Sequence, residues 1–223
     1  MVTRTRTHSS DGLAAWHDAM ADALGPMRWW PADTPFEVAV GAILTQNTNW
    51  TNVKRAIDNL KDAEALDAAA LHAMDAERLA ELIRPAGYFR LKAGRLKNLV
   101  AFIAEECDMD VLALADMGLD EAREKLLTVR GVGPETADSI LCYAAGMPTF
   151  VVDAYTARIA NRHGLLPEDV SYDELREYFM DRLAPDPELY NEFHAQLVHV
   201  GNGWCKKKAP RCGEGCPLEP FLP

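Results

Sequence analysis

The chain is predicted to be all-α, built as helical lobes, and three features predict it. Apolar residues recur at helical spacing through most of the 223 residues, and only Thr149 to Val152 suits a short extended piece. The breaks between these stretches carry helix punctuation, such as Gly25-Pro26, Thr34-Pro35 and Ser171 with Glu174 three residues on. No period of 20–50 residues repeats, which argues against a solenoid.

Taken in order, residues 1–10 are polar and read as a loose terminus. Asp11 suits the cap of a helix whose apolar face is Leu13, Trp16, Met20 and Leu24. Gly25-Pro26 ends that helix, and Met27-Arg28-Trp29-Trp30-Pro31 follows as an aromatic loop. Adjacent tryptophans cannot share one core face of a helix, so one of Trp29 and Trp30 lines a cavity or both plug a gap between lobes. Thr34 caps the next helix, with Glu37 placed for a capping box and Phe36, Val40, Ile43 and Leu44 as its core face. That helix runs into Thr45-Gln46-Asn47-Thr48-Asn49, an unusual cluster of polar side chains. Helical patterns continue from Val53 to Leu60, twice between Ala63 and Ile83, and to Glu106. Leu119–Leu127 leads into Arg130-Gly131-Val132-Gly133-Pro134, read as a tight turn between two helices. Gly131 and Gly133 permit positive φ and close approach, and Pro134 fits a first helical position. Helices follow over 154–163, from Ser171 to Leu183, and from Tyr190 to Val200.

Bulk properties narrow the classes. Hydrophobic content of 48% and charged content of 26% are ordinary for a globular protein. No apolar run of membrane-spanning length and no basic-then-apolar leader is seen, so the expectation is a cytoplasmic protein without a membrane partner. Five cysteines, an odd number, do not suggest a disulfide framework. The net charge of −11 speaks weakly against a nucleic-acid binder, but it is unevenly spread. Arg84 to Lys97 holds five basic residues and no acid, and Lys206 to Arg211 holds four. A polarised surface of this kind can meet an anion on one face.

The turn itself points to one such anion. Backbone N–H groups at a Gly-x-Gly turn leading into a helix N-terminus favour a phosphate. A short apolar run then delivers one carboxylate, Asp153, at the start of a helix. Taken alone, Asp153 is a helix cap; with the turn upstream, it becomes a candidate catalytic group, and the two roles can coexist.

The pairing of Gly131-Val132-Gly133-Pro134-Glu135-Thr136-Ala137 with Pro148-Thr149-Phe150-Val151-Val152-Asp153 resembles the helix-hairpin-helix DNA glycosylases, the endonuclease III group. The resemblance runs from about Trp29 to Cys216. It implies two helical lobes with a DNA-binding cleft between them, a helix-hairpin-helix at about 123–145, and a discontinuous lobe (1–28 with 140–223) around a central one (29–139). Asp153 is then the catalytic carboxylate that acts as the base leaves a flipped nucleotide. The phosphate contacts fall on Arg130, Gly131, Val132, Gly133, Glu135, Thr136 and, from the segment resembling G-[FY]-x-x-x-K-A, Lys92. Leu44-Thr45-Gln46-Asn47-Thr48 resembles the family's L-[ST]-x-Q-[NT]-[TS] region with one residue fewer before the glutamine, which puts Gln46, beside Asn47, at the flipped-base gap. Bifunctional members carry a lysine where Glu135 stands, and a carboxylate cannot form an imine. The implied activity is therefore monofunctional base removal. Trp29-Trp30-Pro31 with Gln46-Asn47-Thr48 resembles the 3-methyladenine DNA glycosylase III type, so an alkylated purine is the implied base and Trp29 and Trp30 its aromatic pocket. Two rival readings are an endonuclease III-like glycosylase/lyase on oxidised pyrimidines and a hairpin module that only binds DNA. Damaged double-stranded DNA is the expected partner, and a monomer the expected state.

Cys205, Cys212 and Cys216 resemble the family's C-x6-C-x2-C-x5-C loop for a [4Fe–4S] cluster. The second gap is one residue longer here, and Leu222 stands where the fourth cysteine would be.

Overall fold

The computed structural model describes residues 11–27 and 29–223; the N-terminal decapeptide and Arg28 of the aromatic loop lie outside the described residues. Eleven α-helices are described: α1 (Asp11–Leu24), α2 (Pro35–Leu44), α3 (Trp50–Asp62), α4 (Ala68–Ala73), α5 (Ala76–Leu82), α6 (Phe89–Glu106), α7 (Leu119–Thr128), α8 (Pro134–Ser139), α9 (Ala154–Arg162), α10 (Tyr172–Met180) and α11 (Pro187–Gly203). Among the described residues there is no strand; Thr149 to Val152 is irregular chain. No described helix is long and apolar enough to cross a membrane.

The helix starts follow local chemistry. Thr34 Oγ1 accepts the Glu37 N–H at 3.1 Å, and Pro35 sits in the first turn. The Glu37 carboxylate takes the Asp33 N–H at 3.0 Å rather than closing the box on Thr34. It is buried, and Lys61 reaches its other oxygen at 2.9 Å. Ser171 and Glu174 form the full reciprocal capping box expected.

The chain divides into two units, residues 1–29 with 149–223 and residues 30–148. The second division lies downstream of the 139/140 boundary read from sequence. Ile140, Leu141, Ala144 and Met147 are buried in one apolar cluster with Val38, Ile43, Leu96 and Leu126, so they belong to the central unit. In that unit α2 packs against α3, α6 and α8. The segment after α8 is not the plain α-helix expected: Ile140–Ala144 is a π-helix. A π-turn is a wider coil than an α-turn, and such turns often mark functional positions.

In the other unit α11 packs on α9 and α1. Its centre is aromatic. Phe150 stacks on Phe179 at 4.5 Å between centroids and meets Tyr190 and Phe193 edge-on. Aromatic pairs of this kind add roughly 0.5–1.5 kcal/mol each beyond their buried area. Through Phe150 this cluster seats the start of the 149–153 segment on α10 and α11.

Candidate active site and nucleic-acid interface

In the central unit, the hairpin joins α7 to α8. Gly131 has φ +102, a conformation open to glycine, and a Cβ there would overlap the Arg95 side chain. Gly133 differs from expectation: its φ of −101 and ψ of 179 are extended, as befits the residue before a helix. The Val132 N–H is spent on Val129 O at 3.0 Å, which removes Val132 from the candidate anion donors. The Thr136 side chain is turned inward: it is buried, and its hydroxyl accepts from Gln46. Its backbone N–H, with those of Gly131 and Gly133, is outside these bonds. Arg130 is exposed at the turn, and its carbonyl accepts from Asn98 Nδ2 at 2.9 Å.

Lys92 is not presented at the surface as a phosphate contact would require. It is 1% exposed, and Nζ donates to Leu44 O at 2.7 Å and Ala86 O at 2.8 Å. Burial, then the Arg95 charge, push its pKa below the ordinary lysine value. Its physical role is to tie the end of α2 to the 3-10 turn Arg84–Ala86 ahead of α6. Each tied segment then presents an exposed residue in left-handed backbone: Asn47 at φ 54 and Tyr88 at φ 44. Tyr88 is 70% exposed.

Gln46 is engaged at both ends of its amide. Oε1 accepts from Arg95, while Nε2 donates to Gly131 O at 3.1 Å and Thr136 Oγ1 at 3.0 Å. It braces the polar segment against the hairpin. Asn47, next to it, is the amide presented to solvent.

The two tryptophans part company. Trp30 lies in the central unit, 5.5 Å from Trp50 and 5.4 Å from Tyr143 between ring centroids. It rests on α2 at Gly41, where a Cβ would come within 3.2 Å of its Nε1. Trp50 and Tyr143 escaped the sequence reading. Tyr143 is placed by the π-turn, which periodicity does not reveal, whereas Trp50, four residues after Gln46, was visible as an aromatic beside a polar cluster. Trp29 belongs to the other unit and meets His194 edge-on at 5.6 Å.

Asp153, in that same unit, caps α9. Its Oδ1 accepts from Tyr155 N at 2.9 Å, Thr156 N at 2.8 Å and Thr156 Oγ1 at 3.0 Å. Its Oδ2 takes no hydrogen bond among the described residues. One carboxylate thus divides its oxygens: Oδ1 is immobilised by the helix N-terminus, and Oδ2 is outside those bonds.

The cysteine loop is held by arginines. Arg162 Nη1 reaches Cys205 Sγ at 3.1 Å and Lys206 O at 2.7 Å, and Arg158 Nε donates to Cys205 O at 2.7 Å. Cys205 and Cys216 are buried, and Cys212 is half-buried. Among the described residues no group of three or more His, Cys, Asp or Glu side chains is placed to hold a metal ion. With Leu222 at the fourth position, these residues do not fit a four-thiolate cluster.

The chain thus carries a Gly-x-Gly turn between α7 and α8 and, downstream, a carboxylate that caps α9. The model of the HhH-GPD superfamily, base excision DNA repair proteins, matches residues 40–185. The chain belongs to this superfamily and is a DNA glycosylase. It is 47% identical over 203 residues to the "Putative DNA repair glycosylase MJ1434" of Methanocaldococcus jannaschii, covering 91% of each chain. Among solved structures, it is similar to the H. pylori 3-methyladenine DNA glycosylase MagIII bound to 1,N6-ethenoadenine: 30% identity, TM-score 0.73, 87% of this chain and 97% of that one. The fold is shared with a trapped endonuclease III–DNA covalent intermediate, at TM-score 0.80 and 23% identity over 97% and 96% of the two chains.

Proposed function

We propose that the protein is a monofunctional glycosylase that removes alkylated purines, of the 3-methyladenine kind, from duplex DNA, with Asp153 as its catalytic carboxylate. The observation that carries this reading is the division of Asp153, with Oδ1 anchored by three donors and Oδ2 unspent. Breaking the glycosidic bond builds positive charge on the sugar. A fixed carboxylate oxygen beside that charge lowers the barrier and orients or deprotonates the attacking water. The target bond is out of reach in a stacked duplex, so the nucleotide must leave the helix first.

Each unit supplies a share of the remaining chemistry. The N–H groups around Gly131 and Gly133, with Arg130, hold a phosphate. Asn47, braced by Gln46, enters the space the base vacates, where an amide can bond either edge of an orphaned base. Trp30, Trp50 and Tyr143 in one unit and Trp29 in the other offer π faces. A cationic methylated purine gains roughly 0.5–2 kcal/mol on such a face. The likeness to MagIII supports this substrate class.

Glu135 supports the monofunctional reading, because it offers no amine to the sugar. Borohydride added during turnover on methylated duplex DNA is expected to trap no covalent adduct, and strands should break only after heat and alkali. A trapped adduct would favour the glycosylase/lyase reading instead.

A further inference from the structure

His194 is a buried titratable group that this mechanism does not use. It is 5% exposed and stands on α11, on a helix face otherwise apolar at Phe193 and Leu197. Its Nδ1 is 2.8 Å from Val151 O, two residues before Asp153. Carbonyl oxygen only accepts, so Nδ1 carries the proton and the ring is held in that tautomer. The Trp29 ring meets the same imidazole in a T-shaped contact. One side chain therefore touches both the peptide that leads into the catalytic carboxylate and a tryptophan offered for the base.

We propose that His194 is a positioning residue for Asp153: the Nδ1–H bond to Val151 O fixes the Val151-Val152-Asp153 segment at the entry to α9, and so fixes where Oδ2 points. This rests on the catalytic reading of Asp153. Backbone here has no ladder to hold it, since residues 149–153 form neither helix nor strand. The Oδ1 bonds restrain the carboxylate from the α9 side only. A restraint from α11 on the preceding residues completes the hold. Burial keeps the imidazole below the ordinary histidine pKa, against the pull of the Asp153 charge and the Val151 carbonyl, which is consistent with a neutral donor.

The test compares His194→Leu with His194→Asn. Leucine fills much of the ring's volume but leaves Val151 O without its donor. Asparagine places an amide N–H near the Nδ1 position. Single-turnover base release from methylated duplex DNA is measured at saturating enzyme, together with affinity for a duplex carrying a tetrahydrofuran abasic analogue. His194→Leu is expected to slow release by about 10- to 100-fold, the scale of an ångström-level misplacement, with the affinity within about twofold. His194→Asn is expected to recover most of the rate. Release by His194→Leu within about twofold of wild type overturns the proposal, as does an equal loss in both variants. Asp153→Asn in the same assay separates the two claims. If it releases base normally, the catalytic reading has failed and His194 with it; if it is inactive while His194→Leu is normal, only the positioning role has failed.

Discussion

Asp153→Asn is expected to slow base release by on the order of 10²-fold or more while leaving the melting temperature almost unchanged. The reason is the double duty of this side chain. Asparagine caps helices about as well as aspartate, and its Oδ1 can still accept from Tyr155 N and Thr156 N. What it removes is the negative charge beside the developing sugar cation. Positioned acid–base groups contribute typically 10²–10⁴-fold. The low end is expected here, because a cationic alkylated purine already leaves easily. Asp153→Ala should add a stability loss of about 1 kcal/mol from the missing cap. An Asp153→Asn protein that keeps its rate would make Asp153 a cap and nothing more.

Arg123→Met is expected to cost about 3–5 kcal/mol in unfolding free energy, measured by urea titration. Arg123 on α7 binds Asp138 on α8 twice, Nε to Oδ1 at 3.0 Å and Nη2 to Oδ2 at 3.2 Å. Asp138 is fully buried and the Arg123 side chain only 15% exposed. Truncating the arginine takes two charge-assisted hydrogen bonds from a buried carboxylate, which is where the cost arises. Arg123→Met with Asp138→Leu should regain much of it, because the charge to be desolvated is then gone. The pair spans the two helices of the hairpin, so Arg123→Met should also weaken DNA binding. A single-variant loss below about 1 kcal/mol would show that the pair is solvated in solution and does not hold the hairpin.

Where chemistry is local, the sequence was a good guide. Thr34 with Glu37, Ser171 with Glu174, and Asp153 ahead of α9 each sit within three residues of the groups they bind, and the helices appear where periodicity and caps agree. Gly131 needs positive φ as the turn pattern required. Where the partner is remote, the sequence was silent. Lys92 falls in a run of five basic residues and reads as a solvent-facing cation; only the meeting of Leu44 O and Ala86 O shows why it is buried. Gln46 looks like a free amide until Arg95, Gly131 and Thr136 close around it. Trp29 and Trp30, adjacent in the chain, serve different units, with Trp30 in left-handed backbone at φ 57. Tyr143 depends on a π-turn that no spacing announces.

The central claim is hydrolytic removal of an alkylated purine. Its most direct test is chromatographic analysis of what wild-type protein releases from duplex DNA carrying 3-methyladenine, paired with gel analysis of the strands. Free 3-methyladenine, with strands intact until heat and alkali expose abasic sites, is the predicted result. Release of no base from this duplex, or strand cleavage without alkali at the rate of base loss, would contradict it.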